Sequence, residues 1–356
     1  MTRDMTRDMT RDVTCDLTRG GMQRGDNGFV AGDVRRLDVE GLTMSEDTSS
    51  TDEAPERRRI VVGYSGTEGS ESALTWAIET ARRESRPLTI LHCYGLAHVP
   101  PLGTTAPDGQ SELLASVADQ VVEEAVSRAA AVLGREAVTG KSVLDSAAGG
   151  LLAESESAHL VVTGSHGRGR IMGGLLASTS YNVTAHATCP AVVVRGDGSL
   201  HPDAEHRVVV GVDDSERAFH ALERAAQVAA DAGAALHIAR VIQPIVLDPQ
   251  AQPELAPMGY GDTYTMHDAR FVEEFRAYAE DATRELVEGI RDRFPGLEVS
   301  SEVVEDTPGL AIARVGEGAG LVVVGSRGRG GFAGMLLGSV SHTVIHHATS
   351  PVMVVR

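Results

Sequence analysis

The sequence predicts an α/β protein made of two tandem domains, each an open parallel sheet of five strands with helices on both faces. Short valine-rich strands alternate with helical segments from residue 59 to the end of the chain. The strands are apolar on both faces, as in IVVG and LVVVG, which is typical of strands buried between two layers of helices. The same order of elements occurs twice, which indicates an internal duplication. These observations together favour a Rossmann-like fold in each copy.

The first domain, residues 58–196, begins with the strand RRIVVG. A helical segment SESALTWAIETARRES, the strand PLTILHCYG and a loop with three prolines follow. The next predicted elements are a long helix near 112–133, a weaker strand around 141–144 and a helix near 150–157. The strand HLVVTG, a glycine-rich stretch, a short helix and the strand PAVVVR complete the five-stranded pattern.

The second domain, residues 206–356, repeats every element of the first. Its strands are predicted in HRVVVGVDD, ALHIARV, EVSSEVVED, LVVVGS and PVMVVR, and its longer helices near 218–230 and 271–291. Residues 197–205 form the predicted linker between the domains.

The spacing of the repeated elements locates an insertion in the second domain. Gly63 aligns with Gly211 at an offset of 148 residues, whereas Gly164 aligns with Gly325 at an offset of 161. The extra residues must enter after the second strand, where the proline-rich segment 243–265 has no periodicity. We expect that segment to be a surface loop or a lid.

Residues 1–57 differ from the rest of the chain. The tetrapeptide MTRD occurs three times and then degenerates to VTCD and LTRG, with charges of both signs and little apolar surface to bury. This low-complexity composition predicts a disordered tail. A short expanded repeat ahead of a true start at Met44 is the simpler interpretation, and a functional tail is the alternative.

Length, charge and cysteine content narrow the classes of function. The 356 residues suggest two domains, each large enough to bury its own core. A formal net charge of −18 disfavours partners such as nucleic acid or anionic membranes. Cys15, Cys93 and Cys189 are far apart and odd in number, so neither a disulfide framework nor a zinc site is indicated. No apolar window approaches the ~18 residues of a membrane span, and we expect a cytoplasmic protein.

A glycine-rich stretch follows the fourth strand of each domain. GSHGRGRIMGGLLAS begins at Gly164, and GSRGRGGFAGMLLGS begins at Gly325. Ligands of open parallel sheets collect beyond the carboxyl ends of the strands, where both stretches lie. Gly325 and Gly328 let backbone N–H groups approach a phosphate, and the start of the next helix near Gly338 favours an anion. The first turn of that helix adds three hydroxyl donors, Ser339, Ser341 and Thr343.

The first strand of the second domain supplies a carboxylate at the same edge of the sheet. Asp213 follows directly after that strand in VVVGVDDSE. A carboxylate in this place is positioned to accept hydrogen bonds from a ribose or from the edge of a base. Asp213 and the glycine stretch would then hold opposite ends of one nucleotide.

Other motifs fit less well. The pattern GxxxxGK[ST] is absent, which disfavours a P-loop NTPase. Gly328-x-Gly330-x-x-Ala333 resembles a dinucleotide fingerprint, but it follows a late strand instead of opening a βαβ unit. Neither a GxSxG elbow nor an HExxH motif is present. His342 and His346 are four residues apart without an evident acidic or cysteine partner, so no metal site is predicted.

The spaced glycines are similar to a known signature. Gly325-x-x-Gly328, nine residues and Gly338-Ser339 match the ATP-binding signature of the universal stress protein family, and VVVGVDDSE resembles the opening strand and turn of that family. The resemblance covers about residues 59–356. It implies two Rossmann-like domains of the adenine nucleotide alpha hydrolase-like type, whose final strands AVVVR and PVMVVR pair about a pseudo-two-fold axis. Two such chains would assemble further as a homodimer.

The resemblance also implies a ligand and its contacts. The ligand is ATP, accompanied by Mg²⁺ or Mn²⁺ that bridges its phosphate oxygens. In the second domain the implied binding residues are Gly211, Val212, Asp213, Val241, Gly325, Arg327, Gly328, Gly338, Ser339, Val340 and Ser341. In the first domain the residues that remain are Gly63, Gly164, His166, Gly167 and Ser178.

The first domain departs from the family pattern at two positions. Ser65 stands where the family has its aspartate, and Ala177 stands where it has its last glycine. Loss of a charge-assisted hydrogen bond weakens binding by about 1.5–3 kcal/mol, and a Cβ at a position that requires a positive φ adds about 1 kcal/mol. We therefore expect the first site to be weaker or empty.

No general base, nucleophile or water-positioning group is evident beside the phosphates. The sequence thus favours a nucleotide-occupied sensor or regulator of a stress response, with at most slow ATP hydrolysis. Two alternatives stay open. One is a slow ATPase or self-phosphorylating enzyme whose acceptor is Ser339, Ser341 or the long loop, and the other is a nucleotide-free scaffold.

Overall fold

The computed structural model describes residues 59–94, 110–165, 178–243, 269–328 and 336–356. The strands within these ranges are β1 (Ile60–Gly63), β2 (Leu88–Cys93), β3 (Val138–Val143), β4 (Leu160–Gly164), β5 (Ala191–Val194), β6 (Val208–Val212), β7 (Leu236–Ile242), β8 (Val299–Glu305), β9 (Leu321–Gly325) and β10 (Val352–Val355). The helices are α1 (Glu68–Glu84), α2 (Gln110–Leu133), α3 (Ala147–Ser155), α4 (Ser178–His186), α5 (Glu216–Ala232), α6 (Ala269–Arg293), α7 (Pro308–Val315) and α8 (Ser339–His347). Across the described part of the chain, no helix has the length and apolar character that a membrane span requires.

All ten strands belong to one sheet in the order β3-β2-β1-β4-β5-β10-β9-β6-β7-β8. Strands of the same domain are paired in parallel. The two domains join where β5 and β10 pair antiparallel, with Val193 opposite Val352 and Ala191 opposite Val354. The predicted α/β class with five parallel strands per domain is confirmed. The pairing of the final strands, which the resemblance implied, covers two apolar edges that would otherwise be exposed.

Helices cover both faces of the sheet, as alternation along β1 illustrates. Ile60 and Val62 belong to a buried cluster with residues of α1 and α2, whereas Val61 belongs to another with residues of α3 and α4. The expectation that each domain buries its own core holds only in part. The cluster that contains Val62 also contains Val210 and Met353 of the second domain, because the β5–β10 pairing makes the hydrophobic layer continuous.

The described elements keep the two offsets found in the sequence. β2 begins at Leu88 and β7 at Leu236, 148 residues later, whereas β3 begins at Val138 and β8 at Val299, 161 residues later. The extra residues therefore enter between the second and third strands. Most of them precede the helix, since α2 begins at Gln110 and α6 at Ala269, 159 residues later. The segment predicted there as a loop or lid lies outside the described residues except for Gln243, as does the predicted tail 1–57.

Two elements of the first domain begin earlier than predicted. Helix α3 begins at Ala147 because the Ser146 side chain caps it, accepting a hydrogen bond of 3.0 Å from the Gly149 N–H. Strand β3 begins at Val138, which pairs with Leu88 of β2. Pairing with β2 thus extends a strand in which half of the residues are polar.

The linker packs against the first domain through a histidine. The His201 ring stacks on Trp76 with ring centroids 5.4 Å apart, and the Trp76 indole N–H donates to the Leu200 carbonyl at 3.1 Å. His201 is only 5% exposed. Burial, followed by the positive charge of Arg83, lowers the pKa of His201 from 6.5 to about 4.

We expect the free energy of unfolding to fall as the pH is lowered from about 6.5 to about 4. In that window His201 binds a proton in the unfolded state but not in the folded state, so stability rises with pH. The pKa difference corresponds to about 3 kcal/mol at most. Urea denaturation at pH 7 and pH 4.5 should show a smaller pH effect in His201→Phe, which retains an aromatic ring for Trp76. An equal pH effect in both proteins would contradict this assignment.

Candidate functional site

A cavity of 270 Å³ opens at the carboxyl ends of β6, β7 and β9 in the second domain. It is lined by nine of the predicted residues, Gly211, Val212, Asp213, Val241, Gly325, Arg327, Gly328, Val340 and Ser341. The other two, Gly338 and Ser339, are the N-cap and the first residue of α8. The volume is close to the lower end of the range of about 300–1,000 Å³ that small-molecule sites occupy.

Asp213 lies directly against the turn that follows β9, residues 325–328, which is the glycine turn of the second domain. A Cβ atom placed on Gly328 would be 2.4 Å from Oδ2 of Asp213, so the carboxylate occupies the space that a side chain at 328 would need. Oδ1 of Asp213 accepts a hydrogen bond of 3.0 Å from the Ser215 backbone N–H and a second one from the Ser215 hydroxyl. These two bonds orient the carboxylate at the rim of the cavity.

The N-terminus of α8 presents backbone donors beside this turn. Its N-cap is Gly338, which has no side chain that could cap the helix. The first intrahelical bond runs from the His342 N–H to the Gly338 carbonyl at 3.0 Å. The N–H groups of Ser339, Val340 and Ser341 precede that bond and therefore have no intrahelical acceptor. Together with the helix dipole they favour an anion.

The reason predicted for a glycine at 338 was wrong. Gly338 has φ −71° and ψ 156°, which any residue adopts. A Cβ there would instead lie 3.2 Å from the Cα of Arg327, so close packing between the start of α8 and the glycine turn favours glycine. The corresponding residue of the first domain, Ala177, lies outside the described residues.

Two of the predicted hydroxyl donors are used within the fold. The Ser341 hydroxyl donates to the Gly325 carbonyl at 2.6 Å, and the Thr343 hydroxyl donates to the Ser339 carbonyl at 2.8 Å. Ser341 is also buried. Its hydroxyl ties α8 to the end of β9, so its contribution to a ligand would come from the backbone N–H.

A cationic group lies beside the glycine turn. The pKa of the Arg356 guanidinium is lowered by burial and then by the neighbouring charges of Arg327 and Arg217. Nε of Arg327 is buried, and no described residue forms a hydrogen bond with it. An anion at this position would relieve the repulsion among the three arginines.

The opposite side of the cavity is formed by residues that were not predicted from the sequence. Five residues of α6 and α7 line it: Phe275, Tyr278, Ala279, Pro308 and Ile312. The sequence signal was the presence of three aromatic residues, Phe271, Phe275 and Tyr278, in the first ten residues of α6, in a chain with only 4% aromatic residues.

A buried arginine at the cavity was also missed. The Arg240 side chain is 8% exposed, and its Nη1 donates to Asp214 Oδ1 at 2.7 Å. Its Nε donates to the Thr283 hydroxyl at 2.9 Å. The sequence signal was an arginine inside the otherwise mostly apolar strand LHIARVI. Arg240 connects the turn after β6 to α6 across the end of β7.

The equivalent cavity of the first domain is smaller, at 110 Å³, and is lined by Gly63, Gly164 and Ser65 among others. A Cβ on Gly164 would lie 1.8 Å from the Gly69 carbonyl oxygen, so two backbone segments meet there. The Ser65 N–H donates to the Ser70 hydroxyl at 3.2 Å. Two predicted residues, His166 and Gly167, lie outside the described residues, and a third, Ser178, is the first residue of α4.

The first cavity also contains a cysteine where the second has Val241. Burial raises the pKa of the Cys93 thiol to about 11, so this side chain is uncharged at neutral pH.

The two histidines considered for a metal are close to each other. The rings of His342 and His346 lie 4.3 Å apart between centroids. Within the described residues, no group of three or more His, Cys, Asp or Glu side chains is arranged to hold a metal ion.

Both halves of the chain are similar to known proteins. The family model "Universal stress protein family" matches residues 56–195 and 205–356. Universal stress protein Rv2005c of Mycobacterium tuberculosis is 33% identical over 306 residues, which cover 83% of this chain and 96% of that protein. Universal stress protein Rv2623 of the same species is 33% identical over 305 residues with the same coverage.

A solved structure agrees with these matches at the level of the fold. The crystal structure of a universal stress protein from Archaeoglobus fulgidus has a TM-score of 0.59 and 22% identity, and the match covers 84% of this chain and 98% of that chain. The family model matches both halves, and relatives are similar along nearly their whole length. The chain therefore belongs to the universal stress protein family and carries two of its domains in tandem.

Proposed function

We propose that the second domain binds ATP and that the protein acts as a nucleotide-occupied sensor or regulator of a stress response. The observation that carries this proposal is the position of Asp213, whose Oδ2 lies where a side chain at Gly328 would be. A carboxylate and a turn with glycine at positions 325 and 328 thus share one cavity. A nucleotide needs this combination, because its sugar donates hydrogen bonds and its phosphates accept them.

The two ends of the cavity suit the two ends of a nucleotide. Asp213 would accept hydrogen bonds from the ribose hydroxyls, and the free N–H groups at the start of α8 would donate to phosphate oxygens. The guanidinium of Arg327, which lines the cavity, favours a ligand that carries negative charge, which supports a nucleotide with phosphates over a nucleoside. Mg²⁺ or Mn²⁺ would enter with the nucleotide, since hard divalent cations bind phosphate oxygens and water with few protein ligands.

One contact favours binding over self-phosphorylation at Ser341. The hydroxyl of this buried residue is donated to the Gly325 carbonyl, which leaves it poorly placed to attack a phosphoryl group. Steady phosphate release that Asp213→Ala abolishes would favour the enzyme instead.

Asp213→Ala is expected to weaken ATP binding by about 10- to 100-fold. The variant loses a hydrogen bond to a charged group, worth about 1.5–3 kcal/mol, and each 1.4 kcal/mol is about tenfold in affinity. Isothermal titration calorimetry of the intact chain with ATP and magnesium measures this change. Ser65→Ala, at the equivalent position of the first domain, is the matched control and should keep wild-type affinity.

The nucleotide itself can be identified without assumptions about affinity. Denaturation of the purified protein should release an adenine nucleotide that chromatography and mass spectrometry identify. Recovery of no nucleotide, together with no thermal shift on addition of ATP, would overturn the proposal and favour a scaffold.

A further inference from the structure

We infer that Phe275 and Tyr278 form an aromatic wall on which the base of the bound nucleotide stacks, an inference that rests on the proposed function. Both side chains line the cavity of the second domain, and they are 47% and 50% exposed. The whole chain has only 6 Phe and 6 Tyr, so two exposed aromatic rings at one cavity are unusual for its composition. A planar ligand would cover rings that the fold itself leaves open.

The residues that line this end of the cavity suit a flat base. Phe275 and Tyr278 are three residues apart and therefore lie on the same face of α6. Apolar side chains of β7 and α7, Val241 and Ile312, line the same cavity. A base between these groups would contact apolar atoms on its faces, as aromatic stacking requires.

Helix α6 is held in position by hydrogen bonds that run through the buried side chains of Arg240 and Thr283. Thr283 lies about one turn beyond Tyr278, and its hydroxyl accepts from Nε of Arg240 at 2.9 Å. Arg240 in turn binds Asp214, which follows Asp213 after β6. The helix that carries the wall is thereby connected to the turn that contains Asp213, the residue proposed to bind the ribose. A wall that is held in place before binding loses less conformational entropy when the ligand binds.

The first domain offers an internal comparison. Leu114 and Val117 occupy the positions equivalent to Phe275 and Tyr278, 161 residues earlier, and they are 58% and 50% exposed. Packing alone is therefore satisfied by aliphatic residues at these positions. The aromatic pair occurs in the domain that also has the aspartate, which is consistent with a role in ligand binding.

The consequence is selectivity for nucleotides over other polyphosphates. Asp213 and the glycine turn would recognise sugar and phosphate, whereas the wall would require a planar base. Stacking of a base on an aromatic side chain raises affinity by about 5- to 150-fold. A purine, which has the larger ring system, would gain more than a pyrimidine.

The test exchanges the wall for its counterpart in the first domain. Phe275→Leu/Tyr278→Val places the residues of the first domain on α6, and we expect its affinity for ATP to fall about fivefold or more. Leu114→Ala/Val117→Ala is the matched control, since it trims equally exposed residues at the equivalent positions. It should keep wild-type affinity.

A spectroscopic readout separates stacking from a general loss of structure. The triphosphate of 2-aminopurine riboside has a fluorescent base that stacking quenches. At saturation, wild-type protein should quench the fluorescence and the exchanged variant should restore most of it. Absence of ATP binding by the wild type would refute the proposed function itself. Binding of ATP by wild type and variant with equal affinity, or bound probe that the wild type leaves unquenched, would overturn the stacking inference alone.

Discussion

Gly328→Ala is expected to weaken ATP binding by about 10- to 100-fold while the free energy of unfolding stays within about 1 kcal/mol of wild type. The added Cβ would lie 2.4 Å from Oδ2 of Asp213 and would push the carboxylate from the rim of the cavity. Gly328 does not have a positive φ, so its backbone tolerates alanine. A carboxylate at the end of a side chain moves at low energetic cost. Isothermal titration calorimetry and urea denaturation measure the two quantities.

A double variant shows whether the two residues act through one contact. If Gly328→Ala works by displacing the carboxylate, then Asp213→Ala should add little further loss in the variant background. Gly289→Ala is the matched control, because Gly289 lies on α6 with no atom within 4 Å of an added Cβ. It should keep wild-type affinity and gain slightly in stability. Additive losses from Gly328→Ala and Asp213→Ala would contradict the proposed contact.

Gly164→Ala is expected to destabilise the protein by about 3 kcal/mol or more. Its Cβ would lie 1.8 Å from the backbone oxygen of Gly69, and backbone segments at the start of α1 and the end of β4 would have to separate. The equivalent change Gly325→Ala places a Cβ 3.0 Å from the Arg217 oxygen, which requires a much smaller shift. We expect that variant to lose about 1 kcal/mol. Urea denaturation compares the two, and equal losses would contradict the difference in packing between the domains.

Much of the fold was predictable because its signals are local. Valine-rich strands at regular intervals, such as IVVG of β1 and LVVVG of β9, fix the class and the number of strands. That the two domains share one order of strands follows from the duplication. The start of α3 was missed because a capping bond from Ser146 decides it.

The candidate site was predictable where it depends on the edge of the sheet. Asp213 follows β6 and Gly325 ends the neighbouring strand β9, so the carboxyl-edge rule brings them together. Val241 was predicted only from the resemblance to the family. The chain from Asp214 through Arg240 to Thr283 joins residues far apart in sequence and has no periodic signal. The aromatic wall is placed by the packing of α6, which the alternation of strands and helices does not specify. The reason for glycine at 338 required knowledge of the distance to Arg327.

The central claim is that Asp213 and the glycine turn of the second domain together hold one adenine nucleotide. Titration of the nucleotide-stripped full chain with ATP and magnesium tests it most directly. The account predicts one tight site per chain, weakened by Gly328→Ala and unaffected by Ser65→Ala. Absence of binding, two equivalent sites, or a tight site that Gly328→Ala leaves intact would contradict it.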